Sequence, residues 1–290
     1  MIFKGTATAL ITPFTEDDKV DASAMRNVVE MQIASGVDAL VVLGTTGEPA
    51  TLSQDEKKQV ASLCIDQVCG RVPVIVGAGS NSTRQAIQTC QMAQSLGADG
   101  LLVVTPYYNK CTQEGLVEHY GAIADSTSLP IICYNVSSRT GVNMLPSTFA
   151  RIAKAHKNVV AIKEASGNME QIEQYLRLCP DMVISGDDAL TIPVMAMGGL
   201  GVISVASNVY PKYVSDMTHF ALKGNFEKAR KMQLTLLPLI SALFCEVNPI
   251  PVKKAMQLKG YCGGSLRLPL TDLTPNNVER LAEVLADFDA

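Results

Sequence analysis

Eight short apolar runs, each followed by a stretch of helical periodicity, constrain this chain more than any other feature. They are Thr6 to Ile11, Ala39 to Leu43, Pro73 to Val76, Gly100 to Val104, Ile131 to Tyr134, Val159 to Ile162, Met182 to Ile184 and Gly201 to Val205. The runs are continuous rather than alternating, as parallel strands covered by helices are. Amphipathic segments lie between them, including Ala24 to Ser35, Gln54 to Cys69, Arg84 to Leu96, Gln113 to Asp125 and Ser147 to Ala155. Parallel neighbours require right-handed crossovers. Eight such units in about the first 210 residues predict a (β/α)8 TIM barrel. A doubly wound open sheet is the runner-up, without support because no G-x-G-x-x-G follows the first run.

Helix starts carry their own signals. Ser53-Gln54-Asp55-Glu56 and Ser82-Thr83-Arg84-Gln85 both read as capping boxes. Pro211 and Pro275 suit first helical turns, the latter behind a Thr274 cap. Beyond Pro211 no strand-like run occurs. The expected organisation is a catalytic barrel over residues 1–224 and a C-terminal helical region over 225–290 packed on it.

Composition narrows the function classes. Net charge is -4 and no Lys/Arg-rich run occurs, which argues against nucleic acid and anionic membrane surfaces as partners. No apolar stretch approaches a membrane span, and no signal-peptide pattern opens the chain, so a cytoplasmic location is expected. The eight cysteines form no C-x-x-C pair and read mostly as small core residues of a reducing compartment. His119, His156 and His219 are too far apart for a local metal motif, so no metal site is expected.

In a barrel of this kind the chemistry sits at the C-terminal ends of the strands. The first run is followed by Thr12-Pro13-Phe14 and the second by Gly44-Thr45-Thr46-Gly47-Glu48. Tyr107-Tyr108-Asn109 follows the fourth, Tyr134-Asn135 and Arg139 the fifth, and Ser185-Gly186-Asp187 the seventh. The sixth ends in Lys163. A lysine closing a buried strand is unusual, because burying an ammonium costs several kcal/mol unless it is paired or neutralised. A neutralised lysine can attack a carbonyl and form a Schiff base. The bland alternative is a lysine that snorkels to the surface or pairs with Glu164. The glycine-flanked turn at Thr45 and Thr46 can offer backbone N–H groups to a carboxylate, or be only a tight turn. Tyr134 and Tyr108, with the Thr45 hydroxyl between them, could relay protons, or pack as half-buried phenols. Arg139 could clamp a carboxylate bidentately, or be a solvated loop arginine.

Together these motifs, over essentially the whole chain, resemble the pyruvate-dependent class I aldolase family typified by N-acetylneuraminate lyase and dihydrodipicolinate synthase. The arginine before Thr140-Gly141 resembles the synthase branch. The resemblance implies that Lys163 condenses with pyruvate while Thr45 and Thr46 hold its carboxylate. The enamine would then attack L-aspartate 4-semialdehyde on the way to diaminopimelate and lysine. It implies a proton relay of Tyr134, Thr45 and Tyr108, a semialdehyde carboxylate on Arg139, and Gly186 and Ile203 lining the site near the lysine. It implies no cofactor, neither metal nor nucleotide. It also implies a homotetramer, a dimer of dimers, in which Tyr108 reaches a neighbouring subunit's site. The competing readings are a related aldolase acting on a keto-acid sugar, such as N-acetylneuraminate lyase, and a non-catalytic barrel. Family members inhibited by lysine carry a histidine where Lys57 stands and a glutamate where Gln85 stands, near Tyr107 and Asn81. A cationic effector loses its counter-charge here, so weak or absent lysine feedback is expected.

Overall fold

A computed structural model describes all 290 residues. The first half of the barrel runs β1 (Gly5–Ala9), α1 (Ala22–Ala34), β2 (Ala39–Val42), α2 (Gln54–Val68), β3 (Val74–Gly77), α3 (Thr83–Ser95), β4 (Gly100–Val104) and α4 (Gln113–Asp125). The second half runs β5 (Ile131–Asn135), a single turn α5 (Ser137–Thr140), α6 (Pro146–Ala155), β6 (Val159–Glu164), α7 (Met169–Leu178), β7 (Val183–Ser185), α8 (Thr191–Ala196), β8 (Gly201–Ser204) and α9 (Pro211–Leu222). Three further helices close the chain: α10 (Phe226–Leu243), α11 (Ile250–Leu258) and α12 (Pro275–Asp289). No helix is long and apolar enough to cross a membrane.

The eight strands pair in sequence order, all parallel, and β8 returns to β1 to close the barrel. Each expected apolar run holds one strand, displaced by at most two residues at either end. Two layers of apolar packing follow from the alternation of side chains along a strand. Inward-facing residues, among them Ala7, Val41, Ile75, Ile132, Ala161, Ile184 and Ile203, fill the barrel interior. A larger shell between strands and helices holds Leu40, Leu101, Cys133, Ile162 and Val202, and extends without a break to Leu239, Leu243, Leu281 and Leu285 of the final helices.

Local signals vary in how the structure uses them. Ser53 and Glu56 form a full capping box at the start of α2. The second expected box does not form. Ser82 stands at the α3 cap position without a side-chain bond, and the Gln85 amide oxygen instead accepts from the Ser80 hydroxyl at 3.1 Å. Likewise, Thr274 precedes Pro275 at the start of α12, but its hydroxyl donates to Glu246 at 2.6 Å rather than capping the helix. A nearby polar group outcompeted the local bond in both places. All eight cysteines are free thiols. Cys64, Cys90, Cys133 and Cys179 are buried and Cys69 is exposed.

Candidate active site

The β5–β6 register decides the geometry of the site. Tyr134 lies directly opposite Lys163, so the two side chains leave the sheet on the same, inner face. Lys163 is 5% exposed, and its Nζ lies 4.3 Å from the centroid of the Tyr134 ring. The adjacent Glu164 points outward, which removes it as a partner for the lysine. Its carboxylate accepts instead from the Asn135 and Gln171 amides, each at 2.8 Å, and from the Ser166 N–H at 2.8 Å. Lys163 makes no ion pair. Burial is therefore the largest influence on the ammonium. It lowers the Lys163 pKa from 10.5 to about 8; the Asp188 carboxylate draws it back up and the Arg139 cation pushes it further down.

Gly186 makes room for this lysine. A Cβ there would stand 2.9 Å from Lys163 Cε and 2.7 Å from Ala165 Cβ. Its N–H is tied to the Glu164 carbonyl at 2.7 Å. Ile203, fully buried on β8, packs into the same inner layer as Tyr134 and Ile184. Asp188 sits just past β7, fully buried. It accepts from the Ser204 hydroxyl at 2.5 Å and from the Val205 and Ala206 N–H groups at 2.9 and 3.2 Å. In one dimension it is indistinguishable from its half-buried neighbour Asp187. The Asp187 side chain only caps the following turn, at Ala189 N–H.

The second strand end supplies a tight turn. Residues Thr45–Gly47 form one 3₁₀ turn. The Gly47 and Glu48 N–H groups close it on the Gly44 and Thr45 carbonyls, leaving those of Thr45 and Thr46 outside its own bonds. Gly77 lets this segment cross β3 closely, since a Cβ there would lie 2.0 Å from the Leu43 carbonyl oxygen. Burial raises the Tyr134 pKa, while the Arg139 cation and the Thr45 hydroxyl lower it.

A cavity of about 580 Å³ opens over these groups, with Thr45, Tyr134 and Arg139 in its wall. It continues outward to Lys57, Gln85 and Tyr107. Lys163 is not in its wall and connects to it through the Tyr134 ring. Arg139 projects from the α5 turn, exposed, and one of its N–H groups donates to the Asn248 carbonyl at 3.0 Å. Of the expected site residues, Thr46, Lys163, Gly186 and Ile203 are buried or half-buried behind the cavity wall rather than in it, and Tyr108 points away from it. Tyr108 is 90% exposed, on a backbone with φ 72°.

The C-terminal helical region contributes groups that the sequence pattern does not reveal. Glu48 forms a fully buried ion pair with Lys253 of α11, at 2.6 Å. Lys253 and Arg267 both lie against Phe14, at 4.1 and 4.4 Å from its ring centroid. No group of three or more His, Cys, Asp or Glu side chains converges as a metal site would require.

The chain is similar to several known proteins. A model of the dihydrodipicolinate synthetase family matches residues 2–287. The 4-hydroxy-tetrahydrodipicolinate synthase of Caldicellulosiruptor bescii is 51% identical over 288 residues, covering 99% of this chain and 97% of its own. The crystal structure of dihydrodipicolinate synthase from Thermotoga maritima has a TM-score of 0.97 at 46% identity, covering 100% of this chain and 99% of its own. The enzyme from Cyanidioschyzon merolae, solved with lysine bound, has a TM-score of 0.96 at 41% identity, with 99% of both chains covered.

Proposed function

The chain belongs to the dihydrodipicolinate synthetase family, and we propose that it is a 4-hydroxy-tetrahydrodipicolinate synthase that holds pyruvate as a Schiff base on Lys163. The observation that carries this reading is a buried lysine amine beside a buried phenol, with no carboxylate paired to it. Neutral Lys163 attacks the keto carbon of pyruvate. The carbinolamine loses water to give the protonated Schiff base. Thr45 and Thr46 receive the pyruvate carboxylate on their hydroxyls and free N–H groups. Tyr134 exchanges the protons of addition and dehydration, as its place over Lys163 Nζ suits.

Loss of a methyl proton turns the Schiff base into an enamine. Its methylene carbon attacks the aldehyde carbon of L-aspartate 4-semialdehyde, whose oxygen takes up a proton. Arg139, exposed at the mouth, binds the semialdehyde carboxylate. The amine of the new chain then closes onto the imine carbon and releases Lys163. Gly186 and Ile203 line the floor near the lysine. The electron bookkeeping closes without a cofactor.

The assembly we propose is a homotetramer in which Tyr108 enters a neighbouring subunit's site and joins the relay of Tyr134 and Thr45. The outward φ 72° placement of Tyr108 supports this reading. Residues 1–224 act as the catalytic barrel and 225–290 as its helical support, in the cytoplasm.

Pyruvate consumption with L-aspartate 4-semialdehyde and with N-acetylmannosamine, offered separately, tests the function. Turnover with the semialdehyde alone is expected. Turnover with the sugar alone would move the protein to the lyase branch. Turnover with neither would restore the non-catalytic barrel.

A further inference from the structure

Asn248 stands between the two halves of the site. It arrives from the connection between α10 and α11, far from the strand ends in sequence, and is 6% exposed. Its side-chain amide donates to Thr46 Oγ1 at 3.0 Å. Its main-chain carbonyl accepts from Arg139 Nη2 at 3.0 Å. Its side-chain Oδ1 is buried and has no partner at all.

We infer that Asn248 is a positioning residue for pyruvate, acting through the direction of the Thr46 hydroxyl; this rests on the reading of Thr46 as a carboxylate-binding group. A hydroxyl carries one proton and two lone pairs. Donation from Asn248 occupies a lone pair and leaves the Thr46 proton free to face a carboxylate. The reversed amide would accept that proton and so take it away from a carboxylate. The observed orientation keeps the Thr46 proton available. It still leaves an orphaned acceptor, which buried polar groups rarely tolerate. The asparagine is thus held by its donor end, the end the site uses. The contact to Arg139 is main-chain and survives any substitution of the side chain, so the pyruvate half depends on the amide and the semialdehyde half does not.

The test compares Asn248→Ala and Asn248→Asp in the full chain, measuring KM for each substrate and kcat. Asn248→Ala is expected to raise the pyruvate KM about tenfold, with the semialdehyde KM within about twofold of wild type. Asn248→Asp keeps the shape but accepts the Thr46 proton and adds a negative charge, so its pyruvate KM is expected to rise about a hundredfold. A residue that served packing alone would rank the other way, with the isosteric Asp the milder change; that order overturns the inference. Thr46→Val gives a second handle that does not depend on the Asp variant folding. In its background Asn248→Ala is expected to have no further effect on pyruvate, and an undiminished effect overturns the inference. Borohydride trapping of pyruvate on the wild-type chain reports the underlying reading separately. No adduct there fails the Lys163 assignment, whereas an adduct with an unchanged pyruvate KM in Asn248→Ala fails this inference alone.

Discussion

Replacing Lys163 with methionine is expected to abolish covalent pyruvate capture and, at neutral pH, to make the protein more stable. The first effect removes the nucleophile. The second follows from the burial that makes the nucleophile useful. A lysine with a pKa of about 8 instead of 10.5 carries about one-tenth neutral amine at pH 7, roughly 300-fold more than a solvated one. The same depression is a cost of folding. At 1.36 kcal/mol per pKa unit it amounts to about 3 kcal/mol. The folded pKa lies below the unfolded one, so between about 8 and 10.5 the unfolded chain binds more protons and stability rises with pH. Below pH 8 the penalty is present in full.

Methionine keeps most of the stem volume and carries no charge. It forfeits the ammonium–Tyr134 contact, worth about 0.5–2 kcal/mol, which offsets part of the gain. The net expectation is a variant about 1–3 kcal/mol more stable at pH 7, with the advantage closing as pH rises from 8 toward 10.5. Urea unfolding of both proteins at several pH values measures it, alongside borohydride trapping with pyruvate. A methionine variant less stable than wild type at pH 7, or a difference that does not change with pH, would refute the claim that Lys163 is buried without an ion-pair partner. A surviving adduct would refute its role as nucleophile.

Three further outcomes are expected. Arg139→Ala should raise the semialdehyde KM far more than the pyruvate KM, and an equal loss of both would argue against its place at the mouth. Lys253→Met leaves the Glu48 carboxylate buried with only the Arg267 N–H at 3.3 Å, and should destabilise the chain by about 3–5 kcal/mol in urea unfolding. Adding Glu48→Gln should recover most of that, and a double variant as weak as the single would show that the pair is not the cause. Lysine should inhibit weakly or not at all, because Lys57 and Gln85 at the outer end of the cavity offer a cation and an amide where a cationic ligand needs an acid. An inhibition constant well below millimolar would exclude this.

Much of the protein was decided one segment at a time and is therefore readable in the chain. A buried parallel strand needs a continuous apolar run, and the helix that follows needs a 3.6-residue stripe, so the alternation from Thr6 to Val205 is enough to imply a closed barrel. The strand-end rule then places Thr45, Thr46, Tyr134, Arg139, Lys163 and Gly186 on one rim. What the alternation cannot carry is the partner of each polar group. Ser82 and Thr274 have capping sequences, yet Ser80 and Glu246 took the bonds that would have completed them. Glu164 follows Lys163 in the chain but faces the opposite side of the strand, so the obvious ion pair never forms and the lysine stays desolvated. Asn248, Lys253 and Asp188 carry no local signal, because their partners lie many residues away and meet them only when the barrel closes and the last helices pack. Local hydrogen bonding and periodicity act over a few residues and set the elements. Burial, charge pairing and donor direction act across the folded core, so they decided which of those elements' side chains became a site.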